Sequence, residues 1–284
     1  MKIDPALRTR LETLFYPLRK VAAAKAFPSR RELTNRLEKL VPNNGKGVTT
    51  VQVTPAVATL FVTAAVEIWM RSVHSFLISA SLTEVSPIWS SVSGYYSSHY
   101  SIRALGHLLG YFQLFRRKKI VYLQLQAGKH FCSFNPKDGS HREHRFYWRL
   151  VKQDQHFASD PLFTANDVDQ GPSDVAHRDL ANYADHLCAF PMFKPLDAEA
   201  LKNRVQHIAD IQFTAPPIPR TINFPDVESV QVVAYHRIIR FRRFLDEIVT
   251  SKNRFWAVHR QPSWATGYMN FQLTEQGGLA AIGV

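Results

Sequence analysis

The chain has 284 residues, of which 45% are hydrophobic and 12% aromatic, so it can bury a substantial core and is not a disordered protein. Its 35 Lys and Arg residues against 23 Asp and Glu give a net charge of +12. This excess favours a polyanionic partner, most simply RNA or DNA, although positive charge can also serve solubility alone. Two cysteines, Cys132 and Cys188, exclude a disulfide framework and fit a reducing cytoplasm.

The first part of the chain predicts helices. Residues 5–42 have the pattern of one or two basic amphipathic helices, and Pro42–Gly47 is typical of a turn or linker. Residues 55–80 are largely apolar and predict a buried helix, because their longest apolar run, residues 55–66, is too short to span a bilayer and leads into Glu67, Arg71 and His74. With no apolar signal region at the N-terminus, the sequence predicts a cytoplasmic protein without membrane contact.

The next predicted helix, residues 88–113, carries an unusual polar stripe. At 100° per residue, Tyr96, His99, Arg103 and His107 fall on one narrow face. Such groups inside an apolar neighbourhood either face a ligand or RNA, or pack the core with hydrogen-bonded partners. The opposite face is apolar (Tyr95, Ile102, Leu105 and Leu109), and Gly106 and Gly110 beside the stripe would allow a close approach.

The pattern then changes to alternation. Residues 120–125, 129–134 and 145–151 have the period of strands, with a hairpin turn expected at Pro136–Ser140. We therefore expect a β-hairpin insertion over residues 119–158. This range contains residues of the types that bind zinc, namely His130, Cys132, His141 and His144. Because no Cys-x-x-Cys pair is among them, no metal site is predicted.

The remainder predicts helices at about 175–188, 196–210 and 225–251, followed by an irregular tail. The fold class expected is therefore mainly α, a helical bundle with a β-hairpin insertion. The sequence contains no phosphate-cradling glycine loop, no His-Glu-x-x-His and no nucleophile elbow, and no cofactor is predicted.

The segment around the tyrosine pair resembles the signature helix of the HEPN domains, which are nucleotide-binding helical bundles. That helix has the form small-Tyr-Tyr-Ala-x-x-His-x-x-Arg-Ala-Leu, and the matching residues here are Gly94, Tyr95, Tyr96, Arg103, Ala104 and Leu105. The family's histidine position holds Tyr100, with His99 one place earlier. The resemblance implies an HEPN-like bundle in two parts, 48–118 and 159–260, with a basic helical segment at 1–47 and a tail at 261–284.

The resemblance also implies a site for metal-independent RNA cleavage. The family's motif, Arg-Asn-x-x-x-His on a helix, is similar to Asn182 and His186 here, but Ala181 occupies the arginine position. Arg178 lies about one helical turn earlier and could supply a guanidinium to the same region. The candidate catalytic residues are therefore His186, Asn182 and Arg178, in a site that is either degenerate or rearranged and active.

Two basic runs are candidates for nucleic-acid binding. One is Arg116–Lys119, and the other lies on the last predicted helix, where Arg237, Arg240 and Arg243 are concentrated. Helical spacing lets Arg240 and Arg243 follow phosphates together. The alternative is a solvated face paired with nearby carboxylates. The residues assigned to nucleic-acid binding are Arg116, Arg117, Lys118, Lys119, Arg237, Arg240 and Arg243.

Together these features predict an RNA-binding or scaffold protein, which the resemblance places in a prokaryotic defence or toxin–antitoxin system. An active metal-independent endoribonuclease is the first alternative. A protein–protein subunit of a larger complex is the second, with the positive charge engaging an acidic partner. The partners expected are RNA or another nucleic acid, a second copy in a homodimer, and a partner protein or antitoxin.

Overall fold

The fold is described from a computed structural model. The residues it describes are 49–52, 55–108, 111–114, 119–125, 131–137, 143–153, 160, 162, 198–212 and 227–248, with single helical positions at 5, 35, 36 and 39. The predicted helices at 5–42 (apart from those four positions) and 175–188, and the tail at 261–284, lie outside these residues. The predicted domain boundaries, after residues 47, 118, 158 and 260, also lie outside them and stay predictions.

The described chain is mainly helical, which confirms the predicted fold class at that level. Its helices are α1 (Pro55–Ser81), α2 (Pro87–Leu108), α3 (Glu143–Gln153), α4 (Ala198–Asp210) and α5 (Val227–Ile248). Helices α1, α4 and α5 coincide with predicted helices to within a few residues at either end. Of the helices in the described residues, none is both long and apolar enough to cross a membrane.

Helix α2 begins where the sequence predicts but ends five residues early, at Leu108 rather than 113. The reason is that Tyr111–Leu114 forms a strand, β2, which pairs with residues 119–122. Gly110 comes shortly before this strand, and glycine is the residue most common just after a helix C-terminus. The apolar residues after Gly110 fit a helix or a strand equally well, and strand pairing decides between them.

The strands form one antiparallel sheet. They are β1 (Thr49–Gln52), β2, β3 (Lys119–Leu125) and β4 (Phe131–Lys137), in the spatial order β1-β4-β3-β2. Two of the four strands lie outside residues 119–158 in the sequence, so an isolated hairpin insertion over that range is not supported. The sequence prediction missed β1 because four residues are too few to show a period.

Two further details of the predicted insertion are wrong. Residues 145–151 are not a strand but part of α3, with Tyr147, Trp148 and Val151 buried at helical spacing. Pro136 is not in a turn but in β4, opposite Val121 of β3. Strand β1 pairs with residues 131–134 of β4 and does not reach Pro136. At Pro136 β4 is therefore paired with β3 alone, and proline is tolerated at such an edge position.

The described chain forms two compact units, with breaks inside the long helices after Ile68, after Ile102 and after Arg242, and inside α3 after Leu150. The first unit contains the sheet, and its core includes Tyr147. The described residues of the second unit are helical and contain the C-terminal parts of α1 and α3, most of α2 and α5, and all of α4.

The core of the second unit is centred on Trp69 of α1. Its ring stacks on Phe241 with centroids 6.0 Å apart, and its indole nitrogen donates to the carbonyl of Ile238 at 3.0 Å. Phe76, seven residues further along α1, packs against Tyr235 with ring centroids 5.8 Å apart. In this core, apolar packing and the hydrogen bond of the Trp69 indole together hold α1 against α5.

Candidate functional site

Helix α2 has one face buried and one stripe partly open. Tyr95, Ile102 and Leu105 have at most 1% of their surface exposed, which confirms the predicted apolar side. The open stripe, by contrast, contains residues that recur every three or four positions and are exposed or half-buried: Trp89, Ser93, Tyr96, Tyr100 and Arg103. Trp89 is 51% exposed and is the exposed large apolar residue of the described chain.

The small residue before the tyrosine pair has a physical role. A Cβ atom at Gly94 would lie 2.7 Å from Cγ1 of Val230 and 3.2 Å from Oγ of Ser79. Both distances are shorter than ordinary contacts between heavy atoms, so glycine is what lets α2 approach α1 and α5 this closely. Gly94 therefore sets how closely α2 packs against α1 and α5.

The predicted polar stripe is divided by burial. Tyr96 is half-buried and open to solvent, whereas His99 is 2% exposed. The His99 imidazole stacks on the phenol ring of Tyr95 with centroids 6.2 Å apart and planes 13° apart. His99 therefore faces the core of the second unit and not a ligand in solvent, while Tyr96 stays a candidate for a ligand-facing role.

The other two stripe residues lie in the first unit. Nδ1 of His107 donates to the carbonyl of Arg103 at 2.9 Å, and the His107 ring stacks on Tyr147 at 6.1 Å. The Arg103 guanidinium lies 5.9 Å from the centroid of the same ring, within the range of a cation–π contact. Tyr147 covers this end of α2 so closely that a Cβ at Gly106 would lie 2.6 Å from its ring.

Burial makes His107 a neutral side chain. Desolvation by burial lowers the pKa of His107 to about 3, and the charge of Arg103 lowers it in the same direction. The hydrogen bond to the Arg103 carbonyl raises the pKa, but this effect is weaker. At neutral pH the imidazole is uncharged, so it cannot donate a proton as a general acid. The close approach predicted at Gly106 is confirmed, but the neighbour is a tyrosine of the same chain.

Serine side chains join α1 and α2 inside the second unit. Oγ of Ser72 donates to the carbonyl of Ser97 at 2.6 Å and also lies 2.6 Å from Oγ of Ser101. Further along, Ser79 and Ser90 donate to each other's carbonyl oxygens at 2.7 and 2.6 Å. All five hydroxyls lie in the buried interior, where satisfied hydrogen bonds are required.

Gln231 of α5 completes this buried network. Its amide nitrogen donates to the carbonyl of Ser79 at 3.0 Å and lies 2.7 Å from Oγ1 of Thr83 and 3.0 Å from Oγ of Ser90. Its amide oxygen accepts from Arg204 of α4 at 2.9 Å. One fully buried amide of α5 therefore links α5 to α1, α2 and α4, which makes the network a determinant of packing.

Two arginines of α5 are also buried. Nε of Arg237 donates to the carbonyl of Leu162 at 2.9 Å, and Arg240 forms an ion pair with Asp160 at 3.2 Å. Oδ1 of Asp160 in turn accepts from the backbone N–H of Leu162 at 3.1 Å. Burial raises the pKa of Asp160, against the lowering effects of Arg240, the Leu162 N–H and Arg237.

The predicted basic surface on α5 is therefore reduced. Arg237 and Arg240 are 1% and 5% exposed, so phosphates in solution cannot reach them in this structure. Arg243 is exposed. Helical spacing correctly predicted that these arginines are close together on α5, but the sequence could not show that two of them are buried and bond to Asp160 and Leu162.

The remaining predicted site residues are outside the described chain, with one exception. Lys119 begins strand β3; the other residues of its basic run, Arg116, Arg117 and Lys118, are not described. The candidate catalytic residues, Arg178, Asn182 and His186, are likewise not described. Their assignments stay predictions.

The sequence analysis missed two residues of the open stripe, Trp89 and Tyr100. The signal was available: Trp89, Ser93, Tyr96 and Tyr100 are spaced four, three and four residues apart, which is the spacing of one helix face. The tyrosine rings of 96 and 100 lie 6.0 Å apart. The described part of the chain contains no group of three or more metal-ligand side chains that could hold an ion.

Comparisons with known proteins do not assign this chain to a family. No family model matches it, and neither a curated protein nor a solved structure matches it. The functional argument therefore depends on the residues and geometry given above.

Proposed function

We propose that the chain is an HEPN-like protein that binds RNA, or acts as a scaffold, in a prokaryotic defence or toxin–antitoxin system and carries a degenerate nuclease motif. The observation that carries the proposal is helix α2. The residues that resemble the HEPN signature lie on one continuous helix, Pro87–Leu108, with Tyr95, Ala104 and Leu105 buried and Gly94 in contact with α5. A signature of this kind is compatible with a bundle-packing helix.

The charge of the chain supports a polyanionic partner. The net charge is +12, and exposed cationic side chains of the described chain include Arg36, Lys39, Lys202 and Arg243. Because protein–phosphate contacts release counterions, RNA affinity should fall steeply as salt is raised. The test is binding of a labelled single-stranded RNA between 50 and 300 mM salt. A salt-independent affinity, or no binding at the lowest salt, contradicts the proposal.

The degenerate motif is tested by cleavage. Losing one electrostatic donor at a transferring phosphate typically lowers the rate by about 10²–10³. With Ala181 in the arginine position, wild-type protein should cleave total RNA weakly or not at all, with or without chelator. Ala181→Arg should raise the rate if the rest of the motif is intact, and Ala181→Lys, which lacks the planar guanidinium, serves as its matched control.

One result would favour the alternative function, an active endoribonuclease, over the binding or scaffold protein. It is robust cleavage by wild-type protein in the presence of chelator, abolished by Arg178→Ala and by His186→Ala. That outcome would mean that Arg178 replaces the missing cation. Binding without cleavage, combined with steep salt dependence, supports the binding protein.

A further inference from the structure

The open stripe of α2 has the features of a stacking surface. In the described chain, Trp89 is the exposed large apolar side chain, with 51% of its surface accessible. Tyr96 and Tyr100 are half-buried on the same face, with ring centroids 6.0 Å apart. Tryptophan and tyrosine combine a flat apolar face with a polar edge, which suits contacts that are both stacked and wet.

Ser93 leaves a gap in this stripe. It is the half-buried residue of the open stripe between Trp89 and Tyr96, which are seven residues apart, and its side chain is small. Seven residues of α-helix rise about 10.5 Å. Three stacking intervals of about 3.4 Å amount to nearly the same length, so the rise of α2 from Trp89 to Tyr96 matches the length of two bases stacked between two rings.

The helix terminus near Trp89 and the charge of the chain fit an anionic ligand, and the aromatic side chains favour one with flat bases over an acidic peptide. Trp89 lies in the first turn of a 22-residue helix that has no acidic residue in that turn, so the positive end of the helix dipole is close to it. The whole chain carries +12. Glu84, exposed in the loop before α2, is the acidic side chain closest to Trp89 in sequence, and its removal should strengthen binding.

We infer that Trp89, Tyr96 and Tyr100 form a stacking platform for single-stranded RNA, with two bases seated over Ser93 between Trp89 and Tyr96. This inference rests on the proposed RNA binding and narrows its substrate class to unpaired bases. Stacking on aromatic side chains is sequence-tolerant, because every base has a flat face. A base-paired duplex cannot present two bases in this way, so it should bind more weakly.

The test measures binding of a ten-nucleotide single strand and of the same sequence as a duplex. Wild-type protein should prefer the single strand, and Trp89→Ala should weaken single-strand binding about tenfold with little effect on the duplex. Trp89→Phe keeps a flat ring and should retain most of the affinity. Ser93→Phe fills the gap and should weaken binding as Trp89→Ala does, whereas Ser93→Ala is its matched control and should bind normally.

The possible failures are distinguishable. If wild-type protein binds neither RNA, the proposed function fails and this inference with it. If it binds RNA but Trp89→Ala and Ser93→Phe bind equally well, only the stacking platform is overturned. If Trp89→Ala changes the sedimentation of the protein alone and leaves RNA affinity unchanged, the stripe is a contact with a second copy and the inference is wrong. Circular dichroism checks that each variant is folded.

Discussion

The buried interior of the second unit and the open stripe of α2 use similar residues for opposite purposes. Inside, serines, one glutamine and two arginines lie among apolar side chains. The serines and the glutamine bond to neighbouring helices, and the arginines bond to Asp160 and Leu162. On the open stripe, Ser93 and the aromatic residues have solvent on one side. The difference teaches that residue type alone does not reveal a site: serine is a buried packing residue in one place and a half-buried surface residue in the other.

This contrast predicts where substitutions are costly. A buried polar group that loses its partner keeps the full penalty of desolvation, whereas an exposed group exchanges its partner for water. Interior variants should therefore reduce the free energy of unfolding and leave intrinsic RNA contacts alone. Variants on the open stripe should weaken RNA binding and leave the free energy of unfolding nearly unchanged.

The largest effect is expected for Arg240→Met. Removing the guanidinium leaves the carboxylate of Asp160 buried without the partner that lies 3.2 Å away, and breaking such a pair typically costs about 3–5 kcal/mol. Urea denaturation measures this change. The matched control is Arg243→Met on the same helix, an exposed position where about 0.5 kcal/mol or less is expected. Equal effects of the two variants would contradict the assignment of Arg240 to the core.

Gln231→Leu should have the next largest effect. The substitution removes the amide that donates to Ser79, Ser90 and Thr83 and accepts from Arg204, and losing these buried hydrogen bonds should cost about 2 kcal/mol. Gln206→Leu is the control, because the Gln206 side chain bonds to Asp210 on the exposed face of α4. A Gln231→Leu protein as stable as wild type would show that the network does not hold the helices together.

The first unit adds a pH dependence to the comparison. The pKa of His107 is lowered to about 3 by burial, so between about pH 6.5 and 3 the unfolded chain binds a proton that the folded chain does not. Stability from this group is therefore complete above pH 6.5 and decreases as the pH falls. At pH 5.5 the loss relative to pH 7.5 amounts to about 1.4 kcal/mol.

The measurement is the free energy of unfolding at the two pH values for wild type and His107→Gln. The glutamine amide can still donate to the Arg103 carbonyl but does not titrate, so the variant should lose about 1.4 kcal/mol less on acidification. Burial also lowers the pKa of His74, and that contribution is common to both proteins. If wild type and His107→Gln lose the same free energy of unfolding between pH 7.5 and pH 5.5, His107 is not buried as described.

The smallest stability effect belongs to Trp89→Ala. A side chain that is 51% exposed should change the free energy of unfolding by about 0.5 kcal/mol or less, while RNA affinity falls as given above. A large loss of stability would place Trp89 in the core and remove it from the stripe. This variant therefore separates the two regions most clearly, because its effects on stability and on binding are expected to differ in size.

The helices were largely predictable because their signal is local. Apolar residues at helical spacing gave α1, α4 and α5 within a few residues, and the buried side of α2 followed from Tyr95, Ile102 and Leu105. Residues 145–151 were misassigned as a strand because a short apolar run fits both periods. The sheet order and the early end of α2 depend on pairing between distant segments, which a local pattern does not contain.

The sequence by itself determined the mainly helical class, the excess of positive charge and the alignment of polar residues along α2, since all three depend on composition or on short-range spacing. Only the tertiary structure decided which of those residues are accessible. Arg237 and Arg240 are buried and bond to Leu162 and Asp160, which lie 75 and 80 positions earlier, and Tyr147 of another helix stacks on His107. Accessibility depends on which distant segments pack together, and that is why the same helical spacing left Trp89 open and His99 buried.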